Sequence, residues 1–215
     1  MKKIAVCGTF GVGKSTICEK VKERLWANYV IKNSKYKEEF VKKWFSSKFA
    51  YIPEQYREIA KEANPDCLRG CSDMIAKYEL RVEDLTDNNI KQTEEITIAT
   101  YAKQLYLESL YTAQGKNILC DRTALDTVIY AQYFQLDIKT CLLSYSQCLS
   151  YNTIYLIEPS DREIENDGFR MTGKKQQLEI YNLFLEYLKG FCNVVIVKQE
   201  EMDKTVEMIV NDFSE

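Results

Sequence analysis

The residues Gly8-Thr-Phe-Gly-Val-Gly-Lys-Ser15 carry the most specific chemistry in the chain. They fill a G-x-x-x-x-G-K-[ST] pattern, the spacing with which a glycine-rich turn wraps a polyphosphate. Gly8, Gly11 and Gly13 permit bends that aim successive backbone N–H groups inward as an anion nest. A helix beginning at Lys14 would set the positive end of its dipole against the same anion. Lys14 supplies a point charge for the β- and γ-phosphates, and the Ser15 hydroxyl is a ligand for Mg²⁺. Val12 and Thr16 complete the stretch expected to touch the nucleotide. The implied ligand is a nucleoside triphosphate with a divalent cation.

Further candidates stand just past other apolar runs. Asp121 follows one such run, where a carboxylate can hold Mg²⁺ or its waters, although an aspartate there can also cap the next helix. Arg122 presents a planar guanidinium suited to phosphate oxygens. Glu54 follows a second run and is the best-placed general base for an acceptor hydroxyl, with helix capping as its alternative role. Arg57, close behind, suits an acceptor phosphate. The polar stretch Asp167-Gly168-Phe169-Arg170 reads as a lid that swings Arg170 onto the transferring group, with Arg162, Lys174 and Lys175 as lesser alternatives. The chain has no histidine, so a proton acceptor must be a carboxylate or, less readily, Lys, Tyr or Cys.

These residues need elements to place them. Residues 2–7 are a short apolar run that predicts a buried strand, and Ile17, Val21 and Leu25 predict a helix after the loop. Strands are also expected over 49–52, 117–120, 153–157 and 193–197. Between them, helical patterns cover 41–49, 56–63, 89–114, 125–134, 136–149, 176–188 and 201–213, with helical pieces from 66 to 88 after a turn at Asn64-Pro65-Asp66. The helix over 176–188 is expected to bury Leu178, Tyr181, Leu185 and Leu188. Short apolar strands alternating with longer helices specify an α/β fold in three layers around a parallel sheet. In such sheets ligands sit at the carboxyl ends of the strands, where every candidate above lies.

Composition narrows the classes. A chain of 215 residues supports one domain, 1–215, with a lid at about 160–175. Hydrophobic content of 46% and charged content of 28% are ordinary for a soluble protein, and no apolar run is long enough to span a bilayer. With no leader apparent before the first strand, a cytoplasmic protein without membrane association is expected. The net charge of −3 argues against general nucleic-acid binding, and the lysine-rich stretch over 32–48 reads as a solvated helix face. The cysteines read as reduced core thiols, and Cys67-Leu-Arg-Gly-Cys71 lacks zinc-knuckle spacing.

Taken together, the phosphate loop, Glu54 with Arg57, Asp121-Arg122-Thr123 with Leu125-Asp126-Thr127, and Asp167–Arg170 resemble the P-loop nucleoside and nucleotide kinase group. The similarity is greatest to the AAA-like ATPase/kinase branch that includes the ribosylnicotinamide kinase domain. It extends to the Glu-Arg-Ser run of deoxynucleoside kinases and the Asp-Arg run of thymidylate kinases. The resemblance implies a five-stranded parallel sheet in the order 2-3-1-4-5, with helices on both faces. It implies ATP and Mg²⁺ on Lys14 and Ser15, Asp121 near the metal, Arg122 and Arg170 on phosphates, and Glu54 as the base. The acceptor would be a nucleoside or nucleoside monophosphate touching Glu54, Arg57, Tyr101 and Arg122, and a homodimer is left open. Deoxynucleoside kinases read the base with a glutamine on the long middle helix; Ala99 falls near that position here, with Tyr101 and Gln104 nearby. Thymidylate kinases carry an acidic residue in the loop, where this chain has Thr9 and Phe10. Two other expectations compete: a regulatory ATPase acting with a partner, and a kinase acting on nucleic-acid ends or modified bases.

Overall fold

The computed structural model describes residues 1–56, 58–59, 87–136, 146–164 and 173–214, with side chains from Thr93 onward in the helix that begins at Asp87. Its strands are β1 (Lys3–Cys7), β2 (Phe49–Ile52), β3 (Asn117–Asp121), β4 (Thr153–Glu158) and β5 (Val194–Lys198). Its long helices are α1 (Lys14–Lys32), α2 (Glu38–Lys48), α3 (Asp87–Ala113), α4 (Ala124–Tyr133), α5 (Lys174–Leu188) and α6 (Met202–Ser214). All pairings are parallel and the order is β2-β3-β1-β4-β5. The expected fold class and strand order are therefore those observed.

Strand alternation builds the layers. Along β1, Ile4 and Val6 join the core beneath α1 and α6, while Ala5 and Cys7 join the core beneath α3, α4 and α5. The same alternation splits Leu119 from Ile118 and Cys120 in β3, and Tyr155 and Ile157 from Ile154 and Leu156 in β4. A strand buried on both faces is apolar throughout, and this is why these runs stand out in the sequence. No helix among the described residues is long and apolar enough to cross a membrane.

Several boundaries differ from expectation. With no glycine or proline to stop it, α1 continues past Leu25 to Lys32. β5 runs one residue later than expected, and because it forms the sheet edge its Ile196 is 53% exposed. A 3₁₀ turn, Gln199–Glu201, precedes α6. The expected stripe on α5 is corrected: Leu178 and Leu185 face solvent, whereas Gln177, Ile180, Tyr181, Phe184 and Leu188 are buried. Ile180, Tyr181, Phe184 and Leu188 form the apolar stripe that is buried, and Gln177 at its start donates to the carbonyl of Phe10. Residues 146–149 are helical, as are 55–56 and 58–59; the remainder of the helices expected over 56–88 and 136–149, and of the polar stretch 160–172 beyond Ile164, lies outside the described residues. Cys7, Cys18, Cys120, Cys148 and Cys192 are free thiols.

Candidate active site

The phosphate loop leaves β1 at the carboxyl edge of the sheet. Gly8 adopts φ +136°, and a Cβ there would stand 3.1 Å from the carbonyl oxygen of Ile157 on β4. Only glycine allows that backbone angle together with so close a passage over the neighbouring strand. Gly13, at φ +85°, is the residue before α1 and turns the chain into the helix.

Lys14 is 5% exposed and its Nζ donates to the Thr9 carbonyl at 2.5 Å. Its pKa is lowered to about 8, first by burial and then by the Arg122 charge, against the pull of Glu54, Asp121 and Asp126. Next to it, the Ser15 hydroxyl donates to Asp121 Oδ2 at 2.5 Å. The Asp121 carboxyl is pushed up by burial and then by Glu54. Its second oxygen, Oδ1, is buried without a partner. A hydroxyl and a carboxylate with one open oxygen form the hard oxygen-donor set that Mg²⁺ prefers, so the residues present fit that ion.

Arg122 follows β3 with φ +88°, uncommon for a residue with a side chain. Its N–H donates to the Val6 carbonyl at 2.9 Å, extending the β1–β3 ladder by one bond. The guanidinium pairs with Glu54 Oε1 at 2.7 Å, lies 3.7 Å from Asp126 Oδ1, and stands 5.3 Å over the Tyr130 ring. Burial works against its charge, and Glu54, Tyr130 and Asp126 outweigh that, so the group is held cationic. Glu54 and Arg122 thus form an ion pair across the ends of neighbouring strands, each side chain less than a fifth exposed.

Thr123, not Asp121, caps α4. Its hydroxyl accepts from the Asp126 N–H at 3.3 Å, while Asp126 Oδ2 accepts from the Thr123 N–H and hydroxyl at 2.8 Å each. This reciprocal capping box leaves Asp121 for Ser15. Asp126 is 1% exposed, and burial pushes its carboxyl up against the pull of Arg122.

Sequence reasoning did not single out Asp126 or Tyr130 as site residues, although Thr-x-x-Asp after a strand is a readable cap signal. Gln177 and Gln199, which hold the loop from α5 and from the 3₁₀ turn, carry no local signal at all. Tyr101, expected at the substrate, is buried on α3 in the core cluster that also holds Phe10, Ile52 and Cys120. Arg57 and Arg170, with Asp167–Phe169, lie outside the described residues. Lys174 donates to the Ser160 carbonyl at 2.6 Å, while Lys175 and Arg162 are exposed.

Among the described residues, the buried side-chain atoms with no hydrogen-bond partner are Thr9 Oγ1, Gln55 Oε1, Asp121 Oδ1, Arg122 Nε, Asp126 Oδ1 and Tyr130 OH. All belong to segments leaving β1, β2 and β3 at one end of the sheet. Unmet polar capacity at that end of the sheet is what a water, an ion or a polar ligand could satisfy.

The AAA domain family matches residues 3–204, nearly the whole chain. The chain belongs to that AAA domain family. No curated protein matches it. Solved structures share its fold at low identity. Deoxyadenosine kinase from M. mycoides with bound dATP is 16% identical, with a TM-score of 0.57 and complete coverage of both chains. The same enzyme with products dCMP and a flexible dCDP is 17% identical at TM-score 0.53, covering 99% of this chain and 98% of that one. The NadR protein in complex with NR is 18% identical at TM-score 0.55; the match covers 96% of this AAA-domain chain and 51% of NadR. The chain shares the fold of these structures, with its five parallel strands in the order β2-β3-β1-β4-β5.

Proposed function

We propose that this protein is an ATP-dependent phosphotransferase that moves the γ-phosphoryl group of Mg·ATP onto a nucleoside or nucleoside monophosphate. The observation that carries this reading is the Glu54–Arg122 pair at the strand ends next to the phosphate loop, with Arg122 Nε, Asp121 Oδ1 and Tyr130 OH still without a hydrogen-bond partner. Nucleoside or nucleotide ligands named in the related structures agree with that choice.

The loop amides and Lys14 hold the β- and γ-phosphates, and Ser15 and Asp121 would hold Mg²⁺, which when bound neutralises phosphate charge. For a nucleoside acceptor, the hydroxyl oxygen forms a bond to the γ-phosphorus as the bridging P–O bond breaks toward ADP. Glu54 accepts the hydroxyl proton and Arg122 steadies charge on the equatorial oxygens. Most of the rate comes from positioning and charge, with the proton transfer a smaller share.

An ATP-consumption screen across nucleosides and monophosphates, with product masses, tests this. Acceptor-dependent ADP that disappears in Lys14→Ala supports the proposal. Turnover indifferent to every acceptor would instead identify an ATPase, and no turnover on any acceptor would refute the transferase.

A further inference from the structure

The phosphate loop is held from outside by two buried glutamines remote in sequence. Gln177, on the first turns of α5 and 1% exposed, donates from Nε2 to the Phe10 carbonyl at 2.8 Å. Gln199, in the turn after β5 and 9% exposed, donates from Nε2 to the Gly11 carbonyl at 3.1 Å. The other end of Gln199 reaches Ser160, just past β4, directly, and that of Gln177 reaches it through Lys174. Gln199 Oε1 accepts from the Ser160 N–H and hydroxyl, both at 2.9 Å. Gln177 Oε1 accepts from Lys174 Nζ at 3.2 Å, and the same ammonium donates to the Ser160 carbonyl at 2.6 Å. The bonds close a ring: Phe10, Gln177, Lys174, Ser160, Gln199, Gly11.

A trans peptide is planar, with its N–H opposite its C=O. Holding the Phe10 carbonyl outward therefore aims the Gly11 N–H the other way, and holding the Gly11 carbonyl does the same for the Val12 N–H. Those are donors of the anion nest. Glycine-rich backbone has no side chains of its own to fix such orientations, so the direction must be imposed from outside. Packing alone does not account for the choice, since Leu or Met would fill the same space without burying an amide. Gly11 is pressed as well: a Cβ there would meet Ile164 Cγ2 at 2.9 Å.

We infer that Gln177 and Gln199 are positioning residues that preset the Gly11 and Val12 amides for the triphosphate, with Ser160 and Lys174 bracing them. This deepens the kinase reading and rests on that loop binding a nucleotide. The test compares Gln177→Met, Gln199→Met and Lys174→Met with the parent by three measurements: calorimetric Kd for Mg·ATP, thermal midpoint, and hydrogen exchange of the peptide spanning residues 8–14. Loss of one hydrogen bond that orients the nest predicts a Kd weakened on the order of tenfold for each glutamine variant. About threefold is expected for Lys174→Met, which is braced only indirectly. Exchange should rise in the 8–14 peptide and stay unchanged in β3. A lowered midpoint with Kd and loop exchange equal to the parent would make the glutamines packing residues and overturn the inference. Should either glutamine variant fail to fold, Lys174→Met and Ser160→Ala, at the partly exposed rim of the ring, decide by the same readouts. If the parent itself binds no Mg·ATP, the functional reading fails; the exchange comparison on the protein alone still decides the role of the glutamines.

Discussion

A buried ion pair far from the phosphate loop gives the sharpest test of how this fold is held. Lys3 Nζ meets Glu108 Oε2 at 3.0 Å, with side chains 6% and 1% exposed. Glu108 Oε1 accepts from Gln104 Nε2 at 2.8 Å and from the Tyr151 hydroxyl, and Lys3 lies 4.4 Å over the Tyr151 ring. The cluster joins β1, α3 and the chain leading into β4. Glu108→Gln keeps the shape and one acceptor oxygen but removes the anion paired with the buried Lys3 ammonium. Breaking such a pair costs about 3–5 kcal/mol. For a domain near 200 residues, where 1 kcal/mol shifts the midpoint by about 2–4 °C, the Tm should fall by roughly 6–20 °C. Lys3→Met alone should cost a similar amount, because it strands the carboxylate. The double variant Lys3→Met/Glu108→Gln removes both charges, retains acceptors for Tyr151 and Gln104, and should lie within about 1–2 kcal/mol of the parent. Urea unfolding followed by tryptophan fluorescence and circular dichroism, with equal m-values across the set, measures the cycle. If the double variant loses the sum of the singles, or Glu108→Gln loses less than about 1 kcal/mol, the charges are not what the pair contributes and the reasoning is wrong.

Three further outcomes are expected. Glu54→Gln should keep Mg·ATP affinity while lowering kcat for a nucleoside acceptor by about 10²–10⁴-fold, read from steady-state kinetics; an unchanged kcat would reduce Glu54 to a partner that orients Arg122. Gly13→Ala and Gly115→Ala both force a side chain into positive φ, +85° and +68°, but only the first meets a neighbour, Met202 Cε at 2.9 Å. Each should lose about 1 kcal/mol by thermal unfolding, with Gly13→Ala losing more, and equal losses would show that Met202 swings aside freely. Burial pushes the Cys7, Cys18 and Cys120 thiols well up and Cys148 to about 12, while Cys192 is exposed. Iodoacetamide at neutral pH followed by peptide mapping should label Cys192 well before those four, and early labelling of Cys120 would contradict the closed core.

What the sequence revealed follows from which forces are local. β1, β3 and β4 are buried on both faces and so wrote continuous apolar runs, which placed the strands within a residue of their observed bounds. The phosphate loop was legible because its glycines are required by the backbone itself. On α5 two apolar stripes share Tyr181 and Leu188, and the pattern alone does not say which of them is buried. Leu178 and Leu185 are as apolar as the residues that are buried, but Ile180 and Phe184 complete with Tyr181 and Leu188 the stripe that meets the core, and Gln177 at its start reaches the Phe10 carbonyl. Nothing in the local pattern around 177 announces a partner 167 residues away. Likewise Asp126 stands in the sequence only as part of the Leu125-Asp126-Thr127 run, and its place beside Arg122 comes from the turn and capping box that start α4.

Asp121, Arg122 and Thr123, at the end of β3, show how one turn divides several demands. An aspartate ahead of a helix would ordinarily spend its carboxylate on the free N–H groups there. Here Thr123 and Asp126 satisfy those groups reciprocally, so Asp121 keeps one oxygen for Ser15 and one unengaged. Between them Arg122 takes φ +88°, a conformation that costs of order 1–2 kcal/mol for a residue with a Cβ. It persists because the surroundings over-determine it: the N–H is tied to Val6, and the guanidinium is held by Glu54 and flanked by Asp126 and Tyr130. An unstrained turn would direct the side chain elsewhere and leave Glu54 without its cation. The strain and the capping box thus serve the same end. They place a carboxylate and a guanidinium on adjacent strand ends, facing the loop, with donor and acceptor capacity still open to a polar ligand.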